Sequence, residues 1–431
     1  MTFAMDPVAG GSLAASRSDV YLRSRAWDRV FVVGGAWLVP LPIVAFYLLR
    51  SCGLPVGTCE DLVTLLVMIP FGGPHVFATY TRTWFNPAFP RQDRRLFVLA
   101  FVVMAVVVTA AVSSAFFQVV LGGAPPIRYV LTFFFFWAGV HIVQQNSYLA
   151  ACYADKAGAG ARPRSWWGAV DYAVMLLAMY PVSLFRMSMV NVADPTMRTA
   201  DPEALATRIV TALSGSQEFA DQYVFRIGRV APLLPQWLAA SWCWIAVTVA
   251  FAVSLALFTV KTARERRAGT LVGPRCQLVV WMAVLGAVVP LFPNLDSAFQ
   301  GMNAWHSFQY LGVLWLMNQN SRASGEIKNP FFDALMAEGR HWRFYGTAIG
   351  ATLGLLLLVL GIGALIEWAS GREFVMFGHD APRFDAGGHE LYRPGSVLLA
   401  YYMTAFSLLL VHYLHDGCFF FRKRYLLGVR H

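Results

Sequence analysis

Five histidines sit in apolar stretches of this chain where lipid would otherwise surround the side chain. They occur as Gly72-Gly73-Pro74-His75, Gly139-Val140-His141, Trp305-His306-Ser307 and His412-Tyr413-Leu414-His415-Asp416. An ionisable group at membrane depth is expensive, so each is a functional-site candidate by default. Neutral imidazole is a ligand for first-row metals, and several at one depth can close a site between helices of a bundle. No cysteine joins them apart from Cys418 near a helix end, which argues against a thiolate zinc site. An all-nitrogen set with open positions suits non-haem Fe(II) better than copper or zinc. The alternative is haem b, with two helices each supplying an axial histidine. Groups able to orient such ligands follow them in the chain: Gln145 after His141, Gln309 and Tyr310 after His306, and Asp416 beside His415. Ligating histidines usually hand their other N–H to such partners. Taken singly, a histidine in a spanning helix is more often a hydrogen-bonded packing residue. Agreement in depth is what raises the four segments above that.

Depth depends on the elements that carry them. The 431 residues are 57% hydrophobic and only 13% charged, about half the charge of a soluble domain. Apolar runs recur from end to end, which predicts an all-α integral membrane protein with about ten spans. They are Val30–Leu49, Leu62–Tyr80, Leu96–Val120, Arg128–Leu149, Ala169–Phe185, Trp237–Val260, Gln277–Leu291, Ala298–Asn318, Tyr345–Ile366 and Ser396–Cys418. With ten spans, 24 lysines and arginines fall on one set of connections and 10 on the other. The positive-inside bias therefore predicts both termini in the cytoplasm. The histidine-bearing spans are the second, fourth, eighth and tenth, which all run outside to inside. Because the rise per helical residue is constant, counting from the span starts puts His75, His141 and His306 at nearly one level. His412 and His415 lie somewhat nearer the cytoplasm and share one helix face.

The remaining features are read more plainly. Residues 1–29 form a polar cytoplasmic tail without a signal-peptide core, expected to be retained. Residues 422–431 form a basic tail, and 30–421 a single polytopic domain. Outer loops span 187–236, with an amphipathic helix around 202–213, and 368–394. His341, His379 and His389 read as loop histidines. Cys52 and Cys59 share a loop and could pair in an oxidising compartment. Pro70 and Pro74 interrupt the second span, and Gly-Gly-Pro before His75 opens backbone and space beside it. The aromatic run 133–137 reads as lipid-facing or core packing, with a tunnel lining as the alternative. Arg82, Arg94 and Arg95 read as topology anchors. The net charge of +10 is explained by loop arginines and implies no nucleic acid. There is no phosphate-binding Gly-rich loop, no Gly-x-Ser-x-Gly and no His-Glu-x-x-His, which argues against a nucleotide-driven pump, a serine hydrolase and a zincin protease. The histidine boxes of lipid desaturases are absent too.

The four segments resemble the Blh/Brp-type β-carotene dioxygenases, polytopic membrane proteins that cleave β-carotene with histidine-bound non-haem iron. Gly72-Gly73-Pro74-His75 is similar to their Gly-x-Pro-His segment, His141 to a lone histidine in an apolar run, and His306-Ser307 to a His-Ser segment. His412 with Asp416 resembles a late histidine paired with aspartate. The order along the chain agrees. The family's aspartate after its first histidine is replaced here by Val76-Phe77-Ala78-Thr79, and its acid after the second by Gln144-Gln145-Asn146. The resemblance implies a metal-dependent oxygenase acting on a hydrophobic substrate, isoprenoid or lipid, drawn from the surrounding membrane. Tyr310, Gln309, Asp416 and Gln145 would orient ligands or substrate. A bacterial inner (cytoplasmic) membrane is expected. The rival class is a transporter or channel with a histidine-lined path. Such proteins commonly carry internal repeats, which this sequence does not show.

Overall fold

A computed structural model describes residues 20–86, 89, 93–122, 124–158, 166–189, 200–225, 233, 235–325, 327, 329–337, 339–377, 383–384, 390–391, 393–419 and 426. The chain is an all-α multi-pass bundle. Nine of the described helices are long and apolar enough to cross a membrane. In chain order these are α1 (Arg25–Ser51), α2 (Val56–Arg82), α3 (Arg94–Phe116), α4 (Pro126–Lys156), α5 (Trp167–Met187), α6 (Ser241–Arg267) and α7 (Gly273–Leu291), then α9 (His341–Ser370) and α10 (Ser396–Gly417). Between them lies α8 (Leu295–Ala323). It is equally long but too polar to qualify by composition, so the ten expected helices exist and one differs in kind.

The reason is burial. Helix α8 is enclosed for most of its length, with Trp305, His306, Ser307, Gln309 and Tyr310 all inside. A helix whose neighbours are protein rather than lipid can carry polar groups, provided they find partners. It packs along α1 and α2; α2 and α4 each pack on α10, and α9 packs on α2 and α10. Lipid tails are as apolar as leucine, so close backbone approach and polar contacts hold such helices together. Two glycines permit that approach. A Cβ at Gly301 would overlap the Val39 carbonyl of α1, and one at Gly73 would overlap Thr352 of α9.

Three helices loosen close to the site. Arg29–Val33 in α1, Met68–Gly72 in α2 and Tyr402–Phe406 in α10 each form a π-turn. Such turns are rare and frequent at functional sites. In α2 the cause is visible: Pro70 cannot donate a backbone hydrogen bond, and its carbonyl accepts instead from the Tyr345 hydroxyl at 2.5 Å.

The segment 187–236 contains the expected short helix, at Leu205–Ser214, and a second at Gln217–Tyr223. The one strand pairing among the described residues, apart from an isolated bridge, is a two-residue antiparallel pairing of Arg383–Phe384 with Glu390–Leu391. Cys52 and Cys59 are free thiols, so the disulfide is not formed; Cys59 is buried within α2. His341 is not in a loop but begins α9. His379, His389, the first 19 residues and most of 422–431 lie outside the described residues.

Candidate metal centre

Four of the five membrane histidines converge. His75 of α2, His141 of α4, His306 of α8 and His412 of α10 each offer a ring nitrogen within 4.8 Å of the other three, and all four are buried. His75 is central, with its ring centroid 4.2 Å from that of His412 and 4.7 Å from His306. His141 lies 4.8 Å from His306 and 5.4 Å from His412. Two imidazole nitrogens on one metal stand at most about 4.2 Å apart, given bonds near 2.1 Å. The set is therefore wider than one ion would hold it, and a bound metal would draw the four rings inward.

His415 is not in this group. With 3.6 residues to a helical turn, a step of four residues overshoots one full turn by less than a step of three falls short of it. Position 416 therefore lies closer in angle to 412 than 415 does. His415 packs its ring among Phe89 at 5.3 Å, Tyr80 at 6.2 Å and Trp84 at 6.3 Å. Asp416 instead faces inward. Its Oδ2 stands 3.5 Å from His412 Nε2 and 3.7 Å from His141 Nε2.

The hydrogen bonds around the rings determine which nitrogen is available. Ser307 donates to Asn303 Oδ1 at 3.3 Å and contacts His75 Nδ1 at 3.1 Å. A hydroxyl has one hydrogen, so in this arrangement Ser307 accepts from His75 Nδ1–H and Nε2 keeps its lone pair. The same logic applies at His412. Thr79 donates to Asp416 Oδ1 at 3.1 Å and lies 2.6 Å from His412 Nδ1. His412 Nδ1–H then donates to Thr79, which again leaves Nε2 as the free base. Both Nε2 atoms and both ring nitrogens of His306 are buried and lack a hydrogen-bond partner. Buried polar atoms are ordinarily satisfied. An Nδ1 in contact with an oxygen beside a buried, unpartnered Nε2 is the arrangement expected of a metal-ligating histidine.

Tyr310 closes this arrangement. Its hydroxyl donates to Asp416 Oδ1 at 2.6 Å and lies 2.6 Å from Thr79 Oγ1, and its ring is 4.4 Å from His75. Of the four residues expected to orient the site, Tyr310 and Asp416 touch it. Gln145 and Gln309 act one layer further out. Gln145 donates to the His306 carbonyl at 3.1 Å and to Gln309 Oε1 at 2.6 Å. Gln309 donates to the Val32 carbonyl at 3.0 Å and to Asn146 Oδ1 at 3.3 Å. Together they tie α4, α8 and α1 and position the backbone of His306, without bonding an imidazole. Two contributors escaped sequence reasoning. Thr79 follows His75 by four residues, the spacing that places it on the same face. Tyr413 stacks on His141 at 4.3 Å, with nothing in its local sequence to mark it. Arg82 is more than a topology anchor, since it donates to Ser321 Oγ at 3.0 Å and Asn318 Oδ1 at 3.2 Å on α8.

A cavity of about 500 Å³ reaches the centre, with His75, His306 and Tyr413 in its wall. Most of its lining is apolar, including Leu131, Phe134, Phe135, Leu355, Leu356 and Phe406. The aromatic run of α4 is thus divided: Phe134 and Phe135 line the cavity, whereas Phe133 is exposed and stacks on Trp137 at 5.6 Å. Gly72 and Gly73 also line it, so the break in α2 does open space beside His75.

No protein-family model matches this chain, and no curated protein or solved structure matches it either.

Proposed function

We propose that this membrane protein is a non-haem iron oxidoreductase, an oxygenase acting on a hydrophobic substrate, with His75, His141, His306 and His412 as the iron ligands. The observation that carries the reading is the contact of His75 Nδ1 with Ser307 and of His412 Nδ1 with Thr79, with the Nε2 atoms of both rings buried and without a hydrogen-bond partner. The donor set supports iron over zinc: four imidazoles and an adjacent carboxylate, with no thiolate. Ring centroids 4.2–5.4 Å apart and mutually edge to face leave no slot for a porphyrin, which favours a bare ion over haem b. When bound, iron would supply the capacity to activate dioxygen, which the side chains alone lack.

The chain's own residues do the rest. Thr79 and Ser307 hold the ligand tautomers. Asp416 sets its carboxyl group beside His141 and His412, and hydrogen bonds from Tyr310 and Thr79 keep that group in place. Tyr310 holds its proton toward Asp416 Oδ1. The apolar cavity admits a lipid-soluble substrate to His75 and His306 and excludes water from reactive species. The lysine and arginine bias supports cytoplasmic termini in a bacterial inner membrane. The Blh/Brp resemblance supports the oxygenase class, and its missing acids leave the substrate a separate question.

The test is metal content and optical spectrum of the detergent-purified protein, beside His141→Ala and His306→Ala. The expected result is about one iron per chain and no Soret band, with iron lost from both folded variants. Oxygen uptake with lipid-soluble substrates should be lost in parallel. A Soret band would replace this reading with haem. A folded protein that stays empty after reconstitution with iron would overturn it and leave a transporter as the better reading.

A further inference from the structure

The cavity that reaches the histidines is apolar over most of its wall and carries two carboxamides on α8. Gln300 and Asn303 line it, three residues apart, and His306 follows them in the same wall. Such a spacing puts both amides on one helix face, with Ser307 four residues further along it. The hydrogen bonds between them fix which way the amides point. Ser307 donates to Asn303 Oδ1 at 3.3 Å, and Asn303 Nδ2 in turn donates to Gln300 Oε1 at 3.3 Å. Among the described residues this is the one hydrogen bond that Gln300 makes. Both hydrogens of Gln300 Nε2 and one of Asn303 Nδ2 are then unused. Gln145 and Gln309 behave differently, since each spends its amide on a neighbouring helix. Gln300 ties its helix to nothing. A Cβ at Gly72 would stand 3.7 Å from Asn303 Nδ2, so the glycine leaves that amide open. Leu355, Leu356, Val359 and Leu398 belong to the same wall. An amide N–H facing hydrocarbon without an acceptor is costly.

We propose that the substrate is an oxygenated chain rather than a pure hydrocarbon, and that its carbonyl oxygen is held by the amides of Gln300 and Asn303. This rests on the proposed function's reading of the cavity as the substrate's path. A carbonyl accepts two hydrogen bonds and donates none, which matches spare donors. An ammonium only donates, and the two amide oxygens here are already in use. A hydrocarbon would leave all the spare N–H groups unmet. The helix advances about 4.5 Å from Asn303 to His306 and about 9 Å from Gln300. The oxygen is therefore held within two helical turns of the histidines, and the carbons beyond it reach His75 and His306. The cavity's volume falls within the roughly 300–1,000 Å³ of sites that enclose small molecules.

The test uses full-length protein in zwitterionic nanodiscs, both metal-free and iron-loaded. A saturated C18 methyl ketone, the C18 amine and the C18 hydrocarbon compete against a fluorescent C18 ketone. Each probe is compared between wild type and variant, so its partitioning into the bilayer cancels. Gln300→Met keeps the length of the side chain and removes both donors. It should weaken the ketone about tenfold, a difference of about 1.4 kcal/mol. The hydrocarbon and the amine should stay within about twofold, and iron content should not change. Gln300→Asn, which restores an amide, should recover about threefold of the loss. Leu355→Trp, which fills the apolar wall, should weaken the ketone and the hydrocarbon alike. A ketone affinity that survives Gln300→Met in a folded protein would overturn the proposal, as would equal losses for ketone and hydrocarbon. Iron retained with no ketone bound would overturn it while leaving the metal centre standing. Ketone binding that depends on Gln300 in a protein that takes up no iron would support it and count against the metal reading instead.

Discussion

Two buried polar clusters in this bundle invite comparison. One joins α5, α6 and α7. Lys261 donates to Asp171 Oδ1 at 2.5 Å and to the Trp167 carbonyl at 2.9 Å. Arg275 Nε stands 3.6 Å from Asp171 Oδ2 and pairs closely with Glu265. Two cations meet two anions, and the charge closes on itself. The other cluster joins α2, α4, α8 and α10. Four imidazoles and one carboxylate converge there, and three of the rings keep a bare nitrogen. Both are costly to bury. The first resolves its cost within the chain and reads as a staple. The second leaves buried ring nitrogens close together and without hydrogen-bond partners, which the proposed cation would satisfy.

The sharpest way to break this contrast is to remove one member of each cluster. His306→Ala should lower bound iron from about one per chain to below about a tenth, measured by elemental analysis of monodisperse protein. Asp171→Ala should do the opposite. It leaves Lys261 and Arg275 short of an anion and should cost about 3–5 kcal/mol of stability, read by denaturant or thermal unfolding in detergent. Iron per folded chain should remain at the wild-type level in that variant. If Asp171→Ala empties the site as fully as His306→Ala, the two clusters are not separate in function.

A smaller effect is expected at the hub. Thr79→Val keeps the shape and deletes the hydroxyl that orients His412 and Asp416, and should weaken iron binding about 10–100-fold. Chelator competition would measure it, with Thr79→Ser restoring most of the affinity. Smaller again, Gln145→Leu should destabilise the fold by about 1–3 kcal/mol by stranding the buried Gln309 Oε1. Its iron affinity should change less than that of Thr79→Val, because no imidazole is touched. The least effect belongs to His415→Phe. Its ring lies among Tyr80, Trp84 and Phe89, so iron content should stay within error of the wild type. A large loss there would return His415 to the ligand set.

The helical class and the approximate positions of all ten long helices were legible in the sequence, because hydropathy over some twenty residues is a local property that the bilayer dictates directly. The convergence of the four segments was legible as agreement in depth, since rise per residue is constant. Thr79 was legible from its four-residue spacing to His75, which places both on one helix face. The second role of Arg82 was hidden for a general reason: a basic residue at a helix end satisfies the topology rule whether or not it also bonds a neighbour.

What the sequence by itself determined is therefore the set of buried histidines, their shared level along the helices and the elements that hold them. Those follow from composition and from the constant geometry of the α-helix. Only the tertiary structure decided between His412 and His415, since residues three apart share a helix face and separate only when neighbouring helices are in place. It likewise decided that α8 is enclosed by protein, that Gln145 and Gln309 brace backbone rather than rings, and that Cys52 and Cys59 stay apart. Each depends on which helix faces which, and helix–helix contact in lipid is governed by close packing and polar pairing between residues distant in the chain.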